Sequence, residues 1–227
     1  MNRLLRHADR VLRGPLAGDI PGRTWSGLAS LAGLTLACGF FYGGVMGSFG
    51  GVAGDRLWQV VISGVKVPLL LLATFGISVP SFFVLNTLLG VRSDFPAVLR
   101  ILLAGQAGLT IVLGALAPYT LLWYASSANY RWAVLFNAVM FGFASFTAQW
   151  MLRGWYRPLL ARRPQHRWLI RLWLVLYAFV GIQMAWVLRP FVGDPRRPVQ
   201  FFREDSWSNA YEFVLRMTWD VITGGGR

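Results

Sequence analysis

Long apolar segments alternate with short arginine-rich segments along the 227 residues of this chain. Each apolar segment is about 20 residues or longer, the length that a helix needs to cross a hydrocarbon core of roughly 30 Å. The alternation predicts an all-α, polytopic integral membrane protein with about five transmembrane helices. The third span is expected to stop before Pro118, because proline ends or kinks a helix. The predicted spans cover residues 27–49, 67–89, 97–116, 132–152 and 169–188.

The second apolar stretch is longer than a single span requires. It runs from Trp58 to Leu89, roughly 48 Å of helix, and contains Pro68 and Pro80. Because proline lacks an N–H and crowds the preceding turn, we expect an amphipathic lead-in up to Lys66, followed by a span kinked at Pro80.

Residues 1–25 are predicted to form a basic, amphipathic segment on the cytoplasmic side. Apolar residues recur there at helical spacing, while the arginines take the other face. A helix of this kind lies in the plane of the headgroups, although a frayed basic tail is the alternative. The arginines of this face are Arg3, Arg6, Arg10 and Arg13.

A five-helix transmembrane domain is predicted over residues 26–190, and an extracytoplasmic tail over residues 191–227. In the tail, Trp207 to Ile222 has one apolar side, and Glu212, Arg216 and Asp220 form an i, i+4 series on another. We expect a second amphipathic helix, too short and too charged to span. It would lie on the outer leaflet or dock on a partner, and the pattern fits both.

The charge distribution predicts the orientation and the lipid contacts. With 56% hydrophobic and 14% charged residues, the net charge of +13 is better explained by anionic lipid headgroups than by nucleic acid. Arginines concentrate in residues 3–23, 92–100 and 153–171, which places the N-terminus in the cytoplasm. Lys66 is the single lysine beside 21 arginines, a bias typical of a GC-rich, bacterial genome. The expected location is therefore a bacterial cytoplasmic (inner) membrane. Candidate headgroup contacts are Arg3, Arg6, Arg10, Arg13, Arg162 and Arg163.

Glycine recurs at every fourth position along the first span. This spacing removes side chains from one helix face, so that another backbone can approach closely. The face predicts a helix-packing interface, used inside the same bundle or with other membrane subunits or a second copy. A pore-lining helix is the other functional alternative. Its members are Gly39, Gly43, Gly47 and Gly51.

Polar residues within the spans define a candidate polar route. Lys66 is the only lysine of the chain, and an ionisable group within a membrane is a functional candidate. The alternative is that its stem snorkels to water, and that the amides hold helices together. The candidate route comprises Lys66, Asn86, Gln106 and Gln183.

The sequence predicts no catalytic residue, no metal site and no cofactor. His7 and His166 have no carboxylate neighbour in the sequence suited to acid–base work. The acidic residues fall outside the predicted spans, Cys38 is a single cysteine, and no phosphate-cradling loop is present. The expected class is therefore a non-enzymatic adaptor or accessory subunit of a membrane complex; the alternative is a small transporter or channel component.

Two stretches resemble an uncharacterised family of bacterial integral membrane proteins. The first reads KVPLLL at 66–71, VPS at 79–81 and NTLLG at 86–90; the second reads YAFVGIQMAWVLRPF at 177–191 and QFFR at 200–203. Some members of that family are labelled as actin-binding WH2-domain proteins. The sequence does not support this label, because it contains no basic actin-binding motif after an amphipathic helix. Residues 88–118 are also loosely similar to the Yip1-type five-span pattern, which implies a membrane-organising adaptor.

Overall fold

The computed structural model describes residues 3–17, 25–54, 56–194, 198–202 and 209–212. Within these ranges the chain is helical and contains no strand, and five of the helices are long and apolar enough to cross a membrane. The predicted all-α class is thereby confirmed, and the five long apolar helices fit the predicted polytopic membrane protein. Insertion in a membrane and the amphipathic character of the two ends stay predictions. The helices are α1 (Arg3–Ala17), α2 (Trp25–Gly47), α3 (Arg56–Leu88), α4 (Phe95–Ser126), α5 (Tyr130–Arg162) and α6 (His166–Leu188).

The five long helices form one bundle. Helix α2 packs between α3 and α4, α5 packs on α4, and α6 packs on α3. Short connections make consecutive helices antiparallel, so the 89–94 and 163–165 turns lie at the same end as α1; we call this the basic end. The 48–54 and 127–129 turns lie at the opposite end. Helix α1 lies against α4 and α5, with Val11 buried in the core of the basic end.

The closest contact in the bundle joins α2 to α3 and uses the glycines of α2. A Cβ at Gly47 would lie 2.6 Å from the backbone oxygen of Gln59, and one at Gly43 would overlap the backbone of Ser63. A Cβ at Gly39 would lie 3.3 Å from Cβ of Pro68. Three of the four predicted interface glycines are therefore used inside the chain. The fourth lies beyond α2, in the turn between α2 and α3, and has a φ of 100°.

Prolines do not break the helices where the sequence predicted. Helix α3 is continuous from Arg56 to Leu88 through two prolines, and α4 passes through Pro118 to Ser126. The expected interruption of the helix at Pro68 and the expected stop before Pro118 were therefore wrong. The amphipathic lead-in up to Lys66 and the kink at Pro80 stay predictions.

A glycine lies four positions before each of these prolines. A proline ring crowds the carbonyl of residue i−4, and a glycine there adds no Cβ to the crowded turn. Beyond the first turn of each helix, all four prolines of α3, α4 and α5 have this glycine. The pairs are Gly64–Pro68, Gly76–Pro80, Gly114–Pro118 and Gly154–Pro158.

We predict that Gly47→Ala destabilises the bundle by about 1–3 kcal/mol, because the added methyl group overpacks the contact between α2 and α3. The control is Gly33→Ala on the same helix, where a Cβ would meet nothing within 4 Å. That change should be neutral or stabilising, since alanine favours a helix. Equilibrium unfolding in mixed detergent micelles measures both variants, and equal stability would contradict the assigned contact.

Candidate functional site

The chain after α6 turns back onto the bundle and covers Lys66. We call the described residues 189–194 and 198–202 the strap. Nζ of Lys66 donates a hydrogen bond to the carbonyl oxygen of Pro190 over 2.8 Å and lies 5.0 Å from the ring centroid of Phe201. The side chain of Lys66 is fully buried. The snorkelling alternative required an ammonium group in contact with water, whereas the structure holds it under the strap.

One face of α3 supplies the donors that bind the strap. Oγ of Ser63 donates to the carbonyl of Phe191 over 2.6 Å, and Nη1 of Arg56 donates to the carbonyl of Asp194 over 2.9 Å. Nε2 of Gln59 donates to Oγ of Ser63 over 2.8 Å. Positions 56, 59, 63 and 66 share one helical face, so the strap follows a continuous row of donors. We call these four side chains the donor face.

Protein surrounds the irregular backbone of the strap at the described positions. Lys66 is ten residues into α3, about 15 Å from the start of the helix. Irregular backbone at membrane depth is tolerated where it is buried in protein or lines a cavity. Here Val192 is buried in the core of the opposite end, and Gly193 packs against Gln59. The donor face supplies hydrogen-bond donors to the strap carbonyls, and this apolar contact covers the strap with protein.

The chain continues beside α6 after the strap. The backbone N–H of Ala210 donates to Oε1 of Gln183 over 3.0 Å, and the Tyr211 ring stacks on Phe179 with centroids 4.5 Å apart. Phe179 lies nine residues before the end of α6, so this contact is about 14 Å from that end. The predicted C-terminal helix over 207–222 lies outside the described residues except for 209–212.

The structure does not gather the candidate polar route at one place. Gln106 is buried at the middle of α4, where its Oε1 accepts from the Tyr177 hydroxyl over 2.7 Å. Asn86 is buried near the basic end, and its Nδ2 donates to the carbonyl of Phe82. Twenty residues separate Lys66 from Asn86 on one helix, a distance of about 30 Å. A route through these residues would have to be a column along α3, and it remains a prediction.

A polar network at the opposite end is centred on Asn137, whose partners the sequence did not indicate. The Tyr42 hydroxyl donates to Oδ1 of Asn137 over 3.0 Å, and Nδ2 of Asn137 donates to the Tyr124 hydroxyl over 2.7 Å. These residues come from α2, α5 and α4, so one asparagine connects three helices. The sequence showed an isolated asparagine in a span, and only the tertiary structure brings the two tyrosines to it.

His166 has a carboxylate partner, which corrects the sequence-based expectation. Its Nε2 lies 3.1 Å from Oδ2 of Asp94, although 72 residues separate the two. Arg163 lies 3.8 Å from the same oxygen and donates to the carbonyl of Gly90 over 3.0 Å. His166 is fully buried beside the Tyr156 ring. The group, which we call the basic-end clasp, connects the two turns at that end. In the described ranges, no three His, Cys, Asp or Glu side chains are placed to hold a metal ion together.

The candidate lipid-contacting arginines gather at the basic end wherever their side chains are described. Arg6, Arg10 and Arg13 are exposed on α1, and Arg162 is exposed at the end of α5. Nε of Arg13 also pairs with Asp9 over 2.7 Å. Arg163 contacts the basic-end clasp and is also partly exposed to solvent. The side chain of Arg3 lies outside the described residues.

No protein-family model, curated protein or solved structure matches the chain. The resemblance to an uncharacterised bacterial membrane family therefore stays a prediction. The class that the fold itself defines is an all-α protein with five helices able to cross a membrane.

We predict that Asp94→Ala destabilises the protein by about 1–3 kcal/mol, because it leaves the buried His166 ring without its hydrogen-bond partner. The control is Asp9→Ala, which removes an exposed pair between Asp9 and Arg13 within α1 and should change stability by less than about 0.5 kcal/mol. Thermal unfolding in detergent compares the two. Equal effects would show that the clasp contributes no more than a surface ion pair.

Proposed function

We propose that this protein is a non-enzymatic membrane adaptor or accessory subunit, anchored by anionic lipid at its basic end. The observation that carries the proposal is the placement of α1. Its buried Val11 fixes the helix across α4 and α5, while Arg6, Arg10 and Arg13 face outward. A bacterial cytoplasmic membrane, with the basic end inside, fits this surface because cytoplasmic loops are rich in arginine.

The use of polar side chains within the bundle supports a scaffold. Asn137 bonds tyrosines from two other helices, and Gln106 bonds Tyr177 from α6. Interhelical hydrogen bonds of this kind hold helices together in a membrane and contribute about 0.6–2 kcal/mol each. The donor face of α3 likewise binds the chain's own strap. These side chains hold the structure together, as expected of a protein that presents surfaces to partners.

Helix α6 offers the surface for a membrane partner. It packs mainly on α3 and also contacts residues 210 and 211, while apolar side chains at Val175 and Ile182 are exposed. An accessory subunit needs a face of this kind, because helices associate in lipid through close packing.

We predict that replacing Arg6, Arg10 and Arg13 with glutamine weakens the binding of anionic lipid by about 3 kcal/mol, roughly a hundredfold, given about 1 kcal/mol for each arginine near an anionic surface. The lysine triple variant keeps the charges and should retain binding. Native mass spectrometry of protein released from mixed phosphatidylglycerol and phosphatidylcholine nanodiscs measures the retained lipid. Unchanged lipid retention in the glutamine variant would contradict the proposed anchor.

Purification from native membranes in mild detergent tests the adaptor role. We expect a complex of defined stoichiometry, which Val175→Trp and Ile182→Trp should disrupt because bulk is added on the exposed face of α6. Phe146→Trp, on the exposed face of α5, is the matched control. A lone chain, or a complex that survives the α6 changes, would argue against docking through this face.

A second candidate, a small transporter or channel component, is favoured by the buried face of α3. Polar side chains occur along it from one end to the other, and Oγ1 of Thr74 and Oγ of Ser78 have no hydrogen-bond partner among the described residues. Between Ser78 and Asn86, Phe82 packs edge-on against Trp173, with centroids 4.9 Å apart. A hydrophobic constriction of this type closes a pore by dewetting.

We predict for this second candidate that Phe82→Ala increases ion leakage from proteoliposomes severalfold, since it opens the constriction. Phe143→Ala, on the exposed face of α5, removes the same side chain without touching the α3 column. A fluorescent measurement of proton and potassium flux distinguishes the two variants. Equal leakage from both would remove the support for a route along α3.

A further inference from the structure

We propose that α3, α4 and α6 bind one monovalent metal cation, Na⁺ or K⁺, where they meet at the middle of the bundle. The ligands are five neutral oxygen atoms, which we call the central oxygen group. They are the carbonyl oxygen of Leu71, Oγ1 of Thr74, Oγ of Ser78, Oε1 of Gln106 and Oη of Tyr177. This inference goes beyond the adaptor role. Because the group lies on the α3 face of the second candidate, the use of the ion in transport rests on that candidate, whereas its binding does not.

Two atoms of the central oxygen group are buried without a partner. Thr74 is 1% exposed and Ser78 is 0% exposed, and neither hydroxyl has a hydrogen-bond partner among the described residues. Buried polar side chains in native proteins nearly always have a partner, and each exception needs an explanation. The two positions are one helical turn apart on the same face of α3, so a single ligand between them satisfies both.

The other three oxygens lie next to this face. The Tyr177 hydroxyl of α6 is 2.7 Å from Oε1 of Gln106 and 3.5 Å from the carbonyl oxygen of Leu71. Leu71 precedes Thr74 by three residues, which places both on one face of α3. A series of short distances therefore connects oxygen atoms from three helices at one place in the bundle.

Gly181 leaves room for a ligand beside Thr74. A Cβ at Gly181 would lie 3.5 Å from Cγ2 of Thr74, an ordinary van der Waals distance, and would meet no other neighbouring atom of the described residues within 4 Å. Space that accepts a methyl group also accepts an ion of the size of Na⁺ or K⁺. The glycine therefore keeps space open between α6 and α3 next to one of the unpartnered hydroxyls.

Aromatic rings close the site on the side of the basic end. Trp173 packs edge-on against Phe75 and Phe82, with ring centroids 6.0 and 4.9 Å away. These two phenylalanines lie before and after Ser78 on α3. Packed rings exclude water, and a low dielectric strengthens the attraction between a cation and neutral oxygen dipoles.

The chemistry of the central oxygen group favours a monovalent cation. Hard cations take oxygen ligands such as carbonyl groups, and the filters of potassium channels bind their ion with uncharged carbonyl oxygens alone. A divalent ion is usually held by carboxylates, whereas the sequences of α3, α4 and α6 contain no Asp or Glu. An anion would need charged or N–H donors in place of these oxygen atoms.

Thermal unfolding of the full chain in phosphatidylcholine nanodiscs tests the site. The chloride salts of sodium, potassium and choline are compared at equal ionic strength, so that the arginines of the basic end meet the same anion in every sample. We expect Na⁺ or K⁺ at saturation to raise the Tm by about 5 °C or more relative to choline. The cation with the larger effect is the one that the site prefers.

Gly181→Ala is the sharpest variant. Its methyl group fits without a clash and fills the space beside Thr74, so the protein should stay folded while the Tm shift caused by the cation is lost. Thr74→Val should also lose the shift, because it removes a ligand oxygen, whereas Thr74→Ser should keep it. Thr147→Val is the control, since that hydroxyl donates to the carbonyl of Phe143 within α5.

Two results would overturn the cation site. One is an equal Tm in all three salts, as expected if the oxygens hold only water. The other is a shift that persists in Gly181→Ala or Thr74→Val, since the ion would then bind elsewhere. If Thr74→Val does not fold, Gly181→Ala decides alone. The second candidate function fails separately, through equal leakage of Phe82→Ala and Phe143→Ala, because leakage reports on the constriction and not on ion binding.

Discussion

The rest of the structure depends on the close backbone approach of α2 and α3. Lipid offers helices no hydrophobic drive to associate, so close packing has to supply the attraction. Gly43 and Gly47 remove the side chains that would hold the two helices apart. This contact fixes the rotation of α3, and with it the direction of the donor face. The strap then fits beside the same contact, where Gly193 approaches the carbonyl of Gly47.

A second constraint is that buried polar groups need partners in a membrane. The bundle meets this need differently at its two ends. At the opposite end, Lys66 and its neighbours on α3 bind backbone carbonyls of the strap. At the basic end, Asp94 and His166 bind each other across two turns. In both places, residues distant in sequence supply each other's hydrogen-bond partners.

The helices were more predictable than their ends. The spans predicted over 27–49 and 169–188 lie within three residues of α2 and α6, because hydropathy changes sharply at those boundaries. One end of each of the other three helices was missed, namely the start of α3 and the ends of α4 and α5. Pro68 and Pro118 were read as breaks, whereas α3 and α4 continue through them, each with a glycine four residues before the proline. A rule that considers proline alone, without the glycine four residues before it, predicted the wrong helix boundary.

The sequence by itself determined the class, the five apolar helices and the uneven placement of arginine, because these follow from local length, hydropathy and charge. It also singled out Lys66, since a lone lysine beside an apolar run is visible without any fold. Only the tertiary structure decided what Lys66 contacts, that His166 meets Asp94, and that the glycines serve α3. The physical reason is that hydrogen bonding and close packing act over a few ångströms in space, between residues that the sequence separates by tens of positions.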